Sequence, residues 1–229
     1  MQRKQTKNKV KLVIFDMDGA LVDVSQSYKI AIKKTAEFFL GKILGMEEIE
    51  EIKNKCMSKD YEAAELLIQR YGGDFRKEVI IKKFQEYYLG KNFMGLIRNE
   101  PLLVNGSLLK NLGKKYMLAV FTARPKEEAY FILDKYRLKR YFSTIITMED
   151  VKEPNPDAEG LLMIMKKTKV KNNEVIYIGG NLADLKAAQS ININFVGIST
   201  DDQYRKELLK SEGASIVLDS VNDLIKAIK

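Results

Sequence analysis

Histidine and tryptophan are absent from these 229 residues, and cysteine occurs only once. Without histidine, any general acid or base must be Asp, Glu, Lys, Tyr or Cys. With Cys56 alone, neither an intrachain disulfide nor a cysteine-based metal site can form, and Cys56 reads as a bystander. Long apolar runs are missing too. A stretch such as Gly160-Leu161-Leu162-Met163-Ile164-Met165 is far too short to span a bilayer. The segment Met1 to Lys9 is polar and basic, has no apolar signal region and leads straight into a strand. A cytoplasmic location and no membrane partner are therefore expected. Repeats, low-complexity segments and long linkers are likewise lacking.

The net charge of +8 raises the question of nucleic acid. The lysines are interleaved with glutamate, as in Glu47 to Lys55 or Arg205-Lys206-Glu207, and this is the pattern of a solvated surface. No nucleic-acid partner is expected, whereas an anionic phosphorylated metabolite would be drawn by a positive field. The oligomeric state cannot be read from the sequence.

The run Val13-Ile14-Phe15 reads as a strand buried on both faces, ending in Asp16-Met17-Asp18-Gly19. Asp16 would emerge at the carboxyl end of that strand, where open α/β sheets bind ligands. Two carboxylates one residue apart, then a glycine that lets the chain turn, can place a nucleophile and an acid/base beside one metal ion. Ending a strand and making a turn is the ordinary role of an isolated Asp-x-Asp-Gly.

With the trailing Leu21-Val22-Asp23, the unit resembles the opening motif of the haloacid dehalogenase (HAD) superfamily, Asp-x-Asp-Gly-Thr-Leu-x-Asp, with Ala20 in place of threonine. The resemblance implies that Asp16 attacks phosphorus to form an aspartyl-phosphate. Asp18 then protonates the leaving oxygen and later activates water. It also implies Mg²⁺ held by Asp16 and by the Asp18 carbonyl, a hard oxygen site that suits magnesium and phosphate. The dehalogenases themselves lack the second aspartate, so Asp18 points to phosphoryl transfer.

From Ser25 to Asn99 the pattern is helical. One helix carries Tyr28, Ile32, Thr35, Ala36 and Phe39 and ends near Gly41. Glu47–Lys55 and Tyr61–Tyr71 follow, and Asp74 is expected to cap a helix containing Phe75, Val79 and Phe84. After Pro101, strands (116–121, 144–146, 175–178, 195–198, 215–218) alternate with helices (107–114, 126–136, 156–169, 182–190, 202–209 and one from Val221). Alternation predicts an α/β fold: a Rossmann-like, three-layer parallel-sheet core with an inserted all-helical cap. The expected core is residues 1–24 and 100–229, and the expected cap is residues 25–99, in agreement with the HAD relatives that carry helical caps.

The resemblance extends to three further motifs. Thr122 stands where the superfamily places a hydroxyl that bonds the transferring phosphate, and Gly19, Ala123 and Arg124 become candidate substrate contacts. Alone, a threonine at a strand end is a routine capping residue. The third motif is Lys-Pro-x-Pro in helical-cap relatives, whereas this chain reads Lys152-Glu153-Pro154-Asn155-Pro156. Glu153 takes the lysine's usual place and would face the phosphate site. Lys152, one residue early, is the candidate catalytic cation, and it needs a bulge to reach the site. The fourth motif, usually Gly-Asp-Ser-x-x-Asp, reads Gly179-Gly180-Asn181-Leu182-Ala183-Asp184. One metal carboxylate is thus replaced by Gly180. Asp184 remains as the metal-side acid, with Asn181 a further oxygen donor.

The resemblance implies a Mg²⁺-dependent phosphatase of a small phosphorylated metabolite, phosphoglycolate-like in type. Gly180 and Glu153 keep a second reading open, a weakened HAD-fold module that binds phospholigands or proteins. A phosphomutase, built on the same motifs, is a third.

Overall fold

The computed structural model describes residues 10–55, 60–153, 155–200 and 202–228. The Met1–Lys9 segment, Cys56 and Pro154 lie outside the described residues. Two compact units divide the chain, one of residues 1–22 and 102–229 and the other of residues 23–101.

In the first unit the apolar runs pair into a six-stranded parallel sheet. Its strands are β1 (Leu12–Phe15), β2 (Met117–Phe121), β3 (Thr144–Ile146), β4 (Val175–Gly179), β5 (Asn194–Ile198) and β6 (Val217–Leu218). Their order is β3-β2-β1-β4-β5-β6. Ile14 pairs with Ala119 on one side and with Tyr177 on the other. β1 is thus central, which is why all four of its residues are buried. The strand order reverses between β1 and β4, and ligands of open α/β sheets bind outside the carboxyl ends at such a point.

Side chains alternate across the sheet. Leu12, Ile14, Phe121, Tyr177 and Phe195 share one core with Leu161, Ile164 and Met165 of α7 (Glu159–Thr168), and with Leu185 and Ala188 of α8 (Leu182–Ser190). Phe15 points to the opposite face and meets Phe142 edge-on, ring centroids 6.1 Å apart. The remaining helices of this unit are α5 (Gly106–Gly113), α6 (Lys126–Lys135), α9 (Gln203–Ser211) and α10 (Leu224–Ala227). The terminal helix opens as a 3-10 turn at Val221–Asp223 before α10.

Two helix starts differ from expectation. α7 begins at Glu159, not Pro156, because residues 155–158 are held in a loop. Asn155 bonds Asp184 and Tyr177, and Asp157 Oδ1 accepts from the Glu159 amide at 2.7 Å.

The second unit is helical: α1 (Ser25–Leu40), α2 (Met46–Lys55), α3 (Asp60–Arg70) and α4 (Lys77–Tyr88). Asp23 Oδ1 accepts from the Ser25 amide at 2.8 Å at the start of α1, and Gly41, with φ +63°, ends it. The other difference is here. Asp74 does not cap α4, which starts after an extended Arg76 with no side-chain cap. Phe75 instead packs on Phe39 with ring centroids 4.7 Å apart, and this contact keeps the preceding segment out of the helix. Among the described residues, no helix is long and apolar enough to cross a membrane.

Candidate active site

The site lies at the carboxyl ends of β1, β2 and β4. The Asp16 amide donates to the Ile178 carbonyl at 2.8 Å, extending the β1–β4 ladder by one residue and fixing the carboxylate just beyond the sheet. The chain then turns tightly. Met17 O accepts from the amides of Leu21 and Val22, Gly19 N donates to Val22 O, and Gly19 adopts φ +76°, a conformation that favours glycine. Met17, Ala20, Leu21 and Val22 are fully buried, so this turn is anchored by apolar contact on both sides of Asp18. Ala20, in place of the usual threonine, is part of that anchor.

Thr122 follows β2 directly and is buried. Its amide bonds Ile146 O, and its Oγ1 accepts from the Arg124 amide at 3.2 Å, which leaves the hydroxyl proton free to point outward. Ala123 is exposed. Arg124 is 2% exposed, and its Nε donates to Asp18 Oδ1 at 2.5 Å. Its position after the second strand is compatible in sequence with a phosphate or substrate contact and equally with a solvent-facing residue, whereas here it is a buried counter-ion of Asp18, the second aspartate of the opening motif.

Asp184 is fully buried. Its Oδ1 accepts from Asn155 Nδ2 at 2.6 Å and from Tyr177 Oη at 2.9 Å. Its Oδ2 accepts from the amides of Gly180 and Asn181, at 3.0 and 3.2 Å. Asn181 Oδ1 in turn accepts from the Asp184 amide at 2.9 Å, completing a capping box at the start of α8. These donors fill the acceptor positions of the carboxylate, so a metal could bond it directly only by displacing one of them. Gly179 permits the approach, since a Cβ there would sit 2.5 Å from Asp184 Oδ2. Asn181 spends its side-chain oxygen on the cap, the ordinary role of such a residue.

The third-motif loop reaches the site by a different residue from those the sequence pattern suggested. Lys152 and Glu153 are exposed. Both line a surface depression with Asp157, Glu159, Leu162, Met163 and Lys166. Glu153 is therefore not turned toward the phosphate position, and Lys152 is not brought to the carboxylates by a bulge. Asn155 is the residue that enters, and with Tyr177 it was missed.

Electrostatically the site is unbalanced. Burial, then Asp184, then Asp18 push the Asp16 carboxyl well above its usual range, against the pull of the Met17 amide and Arg124. Burial pushes Asp184 up to about 6 despite its donors. Burial, then Asp184 and Asp16, raise the Tyr177 phenol well above its ordinary value. Three carboxylates face one guanidinium, and their oxygens are the hard donors a divalent cation prefers. Asn155 Oδ1 is buried without a hydrogen-bond donor among the described residues. A Cβ at residue 180 would lie 3.3 Å from Asp18 O, so a carboxylate there would have adjoined the same point. No group of three or more His, Cys, Asp or Glu among the described residues forms a ready-made metal cage. The donor set fits a cation that keeps several waters, as magnesium does.

The description "haloacid dehalogenase-like hydrolase" matches residues 13–198. Phosphoglycolate phosphatase 1 of Pseudomonas aeruginosa is 25% identical over 218 residues, covering 94% of this chain and 78% of that protein. Imidazoleglycerol-phosphate dehydratase of Phytophthora nicotianae is 29% identical over 215 residues, and the chain spans about half of it, 47%. A crystal structure of a HAD-superfamily hydrolase of subfamily IA from Geobacter sulfurreducens shares the fold with a TM-score of 0.72 at 18% identity, covering 96% of this chain and 97% of that one. A match over this span, on a sheet that delivers Asp16, Asp18, Thr122 and Asp184 to one end, places the chain in the haloacid dehalogenase-like hydrolase family.

Proposed function

We propose that the protein is a Mg²⁺-dependent phosphatase of a small phosphorylated metabolite. The carrying observation is the convergence of Asp16, Asp18, Thr122 and Arg124 beyond β1 and β2. Asp16 attacks phosphorus, and the bond from phosphorus to the ester oxygen breaks as Asp18 gives that oxygen a proton. Asp18 next takes a proton from water as it attacks the aspartyl-phosphate, freeing phosphate and restoring Asp16. The Thr122 hydroxyl and the amides beyond it are assigned to the equatorial oxygens. Arg124 holds Asp18 and supplies positive charge to the phosphoryl group. A bound Mg²⁺ would be held by Asp16 and the Asp18 carbonyl and would offset the negative charge that repels a phosphate.

The helical unit, residues 23–101, is assigned the selection of the substrate, as the family resemblance implies. A substrate of the phosphoglycolate or sugar-phosphate type is supported by relatives named phosphoglycolate phosphatase and phosphorylated carbohydrates phosphatase. Hydrolysis of an aryl phosphate and of a panel of small phosphorylated acids and sugars, with Mg²⁺ and with EDTA, tests the reading. Cation-dependent release of phosphate is expected.

A second reading is favoured by Gly180 and by the neutral Asn155, which leave the carboxylates with less support than a phosphatase usually gives them. In that reading the site binds a phospholigand without turning it over. Saturable binding of the panel with no phosphate release would replace the first reading by this one.

A further inference from the structure

The third-motif loop touches the acidic cluster through a neutral amide. Asn155 Nδ2 donates to Asp184 Oδ1 at 2.6 Å and to Tyr177 Oη at 3.0 Å. Tyr177 donates to the same Asp184 oxygen at 2.9 Å, so the three groups form a closed triangle. The two bonds of Nδ2 fix the carboxamide, and its Oδ1 stays buried without a donor among the described residues. A buried oxygen left without a donor is unfavourable, so position 155 keeps a polar atom open to a ligand or water. Lys152 and Glu153, three and two residues earlier, are exposed.

We infer that Asn155 is the residue through which this loop acts on the site, and that the charge at position 155 sets how tightly the acidic site takes up a divalent cation. The inference rests on the cation site of the phosphatase reading and concerns the residue that tunes it. Asn155 is a positioning residue. Its amide orients Asp184 without bringing a positive charge to it. A lysine at 155 would place a cation beside the Asp184 carboxylate and compete with a bound divalent ion, whereas an aspartate would add a negative charge there.

The test reads Mn²⁺ binding by the parent, Asn155→Asp, Asn155→Lys and Lys152→Glu, without substrate, from the free-ion magnetic resonance signal. Adding a unit charge of either sign beside Asp184 should change affinity by at least about tenfold. Asn155→Asp is expected to tighten binding and Asn155→Lys to weaken it, while the exposed Lys152→Glu stays within about twofold of the parent. In EDTA the unfolding midpoints should move the opposite way, up for Asn155→Lys and down for Asn155→Asp. Should one charged variant fail to fold, the other read beside Asn155→Gln still gives the sign. Affinity that ignores the charge at 155, or follows residue 152 instead, overturns the inference alone. A parent that binds no Mn²⁺ overturns it together with the cation site.

Discussion

Arg124 Nε and Asp18 Oδ1 form the ion pair that ties the end of β2 to the end of β1, 2.5 Å apart and across 106 residues of sequence. The Arg124 side chain is 1% exposed and that of Asp18 27%, so the arginine is held inside while the acid stays partly open to solvent. Under the phosphatase proposal, a cation that orients Asp18 should matter more to the reaction than to the fold.

Arg124→Gln is therefore expected to lower kcat/KM by about 10²- to 10³-fold. Arg124→Lys should recover only part of it, because an ammonium on a flexible stem cannot keep the fork geometry. Steady-state kinetics on an aryl phosphate check this, and a lysine variant equal to the parent would contradict it.

Gly179 has a packing duty that a turn glycine does not. A Cβ there would sit 2.5 Å from the Asp184 carboxylate and Cβ, within a fully buried surround. Gly179→Ala should cost about 1–3 kcal/mol by forced displacement, seen in urea unfolding. It should also lower activity, since Asp184 is what moves. Unchanged unfolding would show that the approach is looser than the geometry states.

Stability should depend on pH through Asp184. Its folded value of about 6 lies above that of an exposed aspartate, near 4, so folding takes up a proton between these limits. Stability then falls as pH rises through that window, and the loss is complete above about 6. Asp16 is shifted in the same direction and extends the fall upward. In EDTA the free energy of unfolding should drop by on the order of 2 kcal/mol from about pH 4.5 to 7. Asp184→Asn should flatten much of it, and saturating Mg²⁺ should restore stability at the upper end. Denaturant titrations at several pH values measure the slope, and a rise across this range would contradict the sign.

The sheet was legible because each strand is a short apolar run bounded by turn residues, and β1 announced its own end with Asp16. Asp18, Thr122 and Asp184 were legible because family motifs set each at a strand end or one turn into a helix. Arg124's pairing was not, since it depends on two loops meeting across the sheet. The third motif was misread for a related reason. Pro-x-Pro spacing puts Glu153 in the lysine's place and leaves Lys152 as the candidate cation, but Asn155 is the side chain the loop delivers, held by Tyr177 of β4. Asp74 failed as a cap because the contact of Phe75 with Phe39, distant in sequence, outweighed a local preference.

The central claim is that Asp16 is the covalent nucleophile. Hydrolysis of an aryl phosphate in Mg²⁺ by the parent and by Asp16→Asn, the variant's fold verified by its unfolding midpoint, tests it most directly. The account predicts that the parent turns over and the variant falls to background. Equal rates for the two proteins would contradict it.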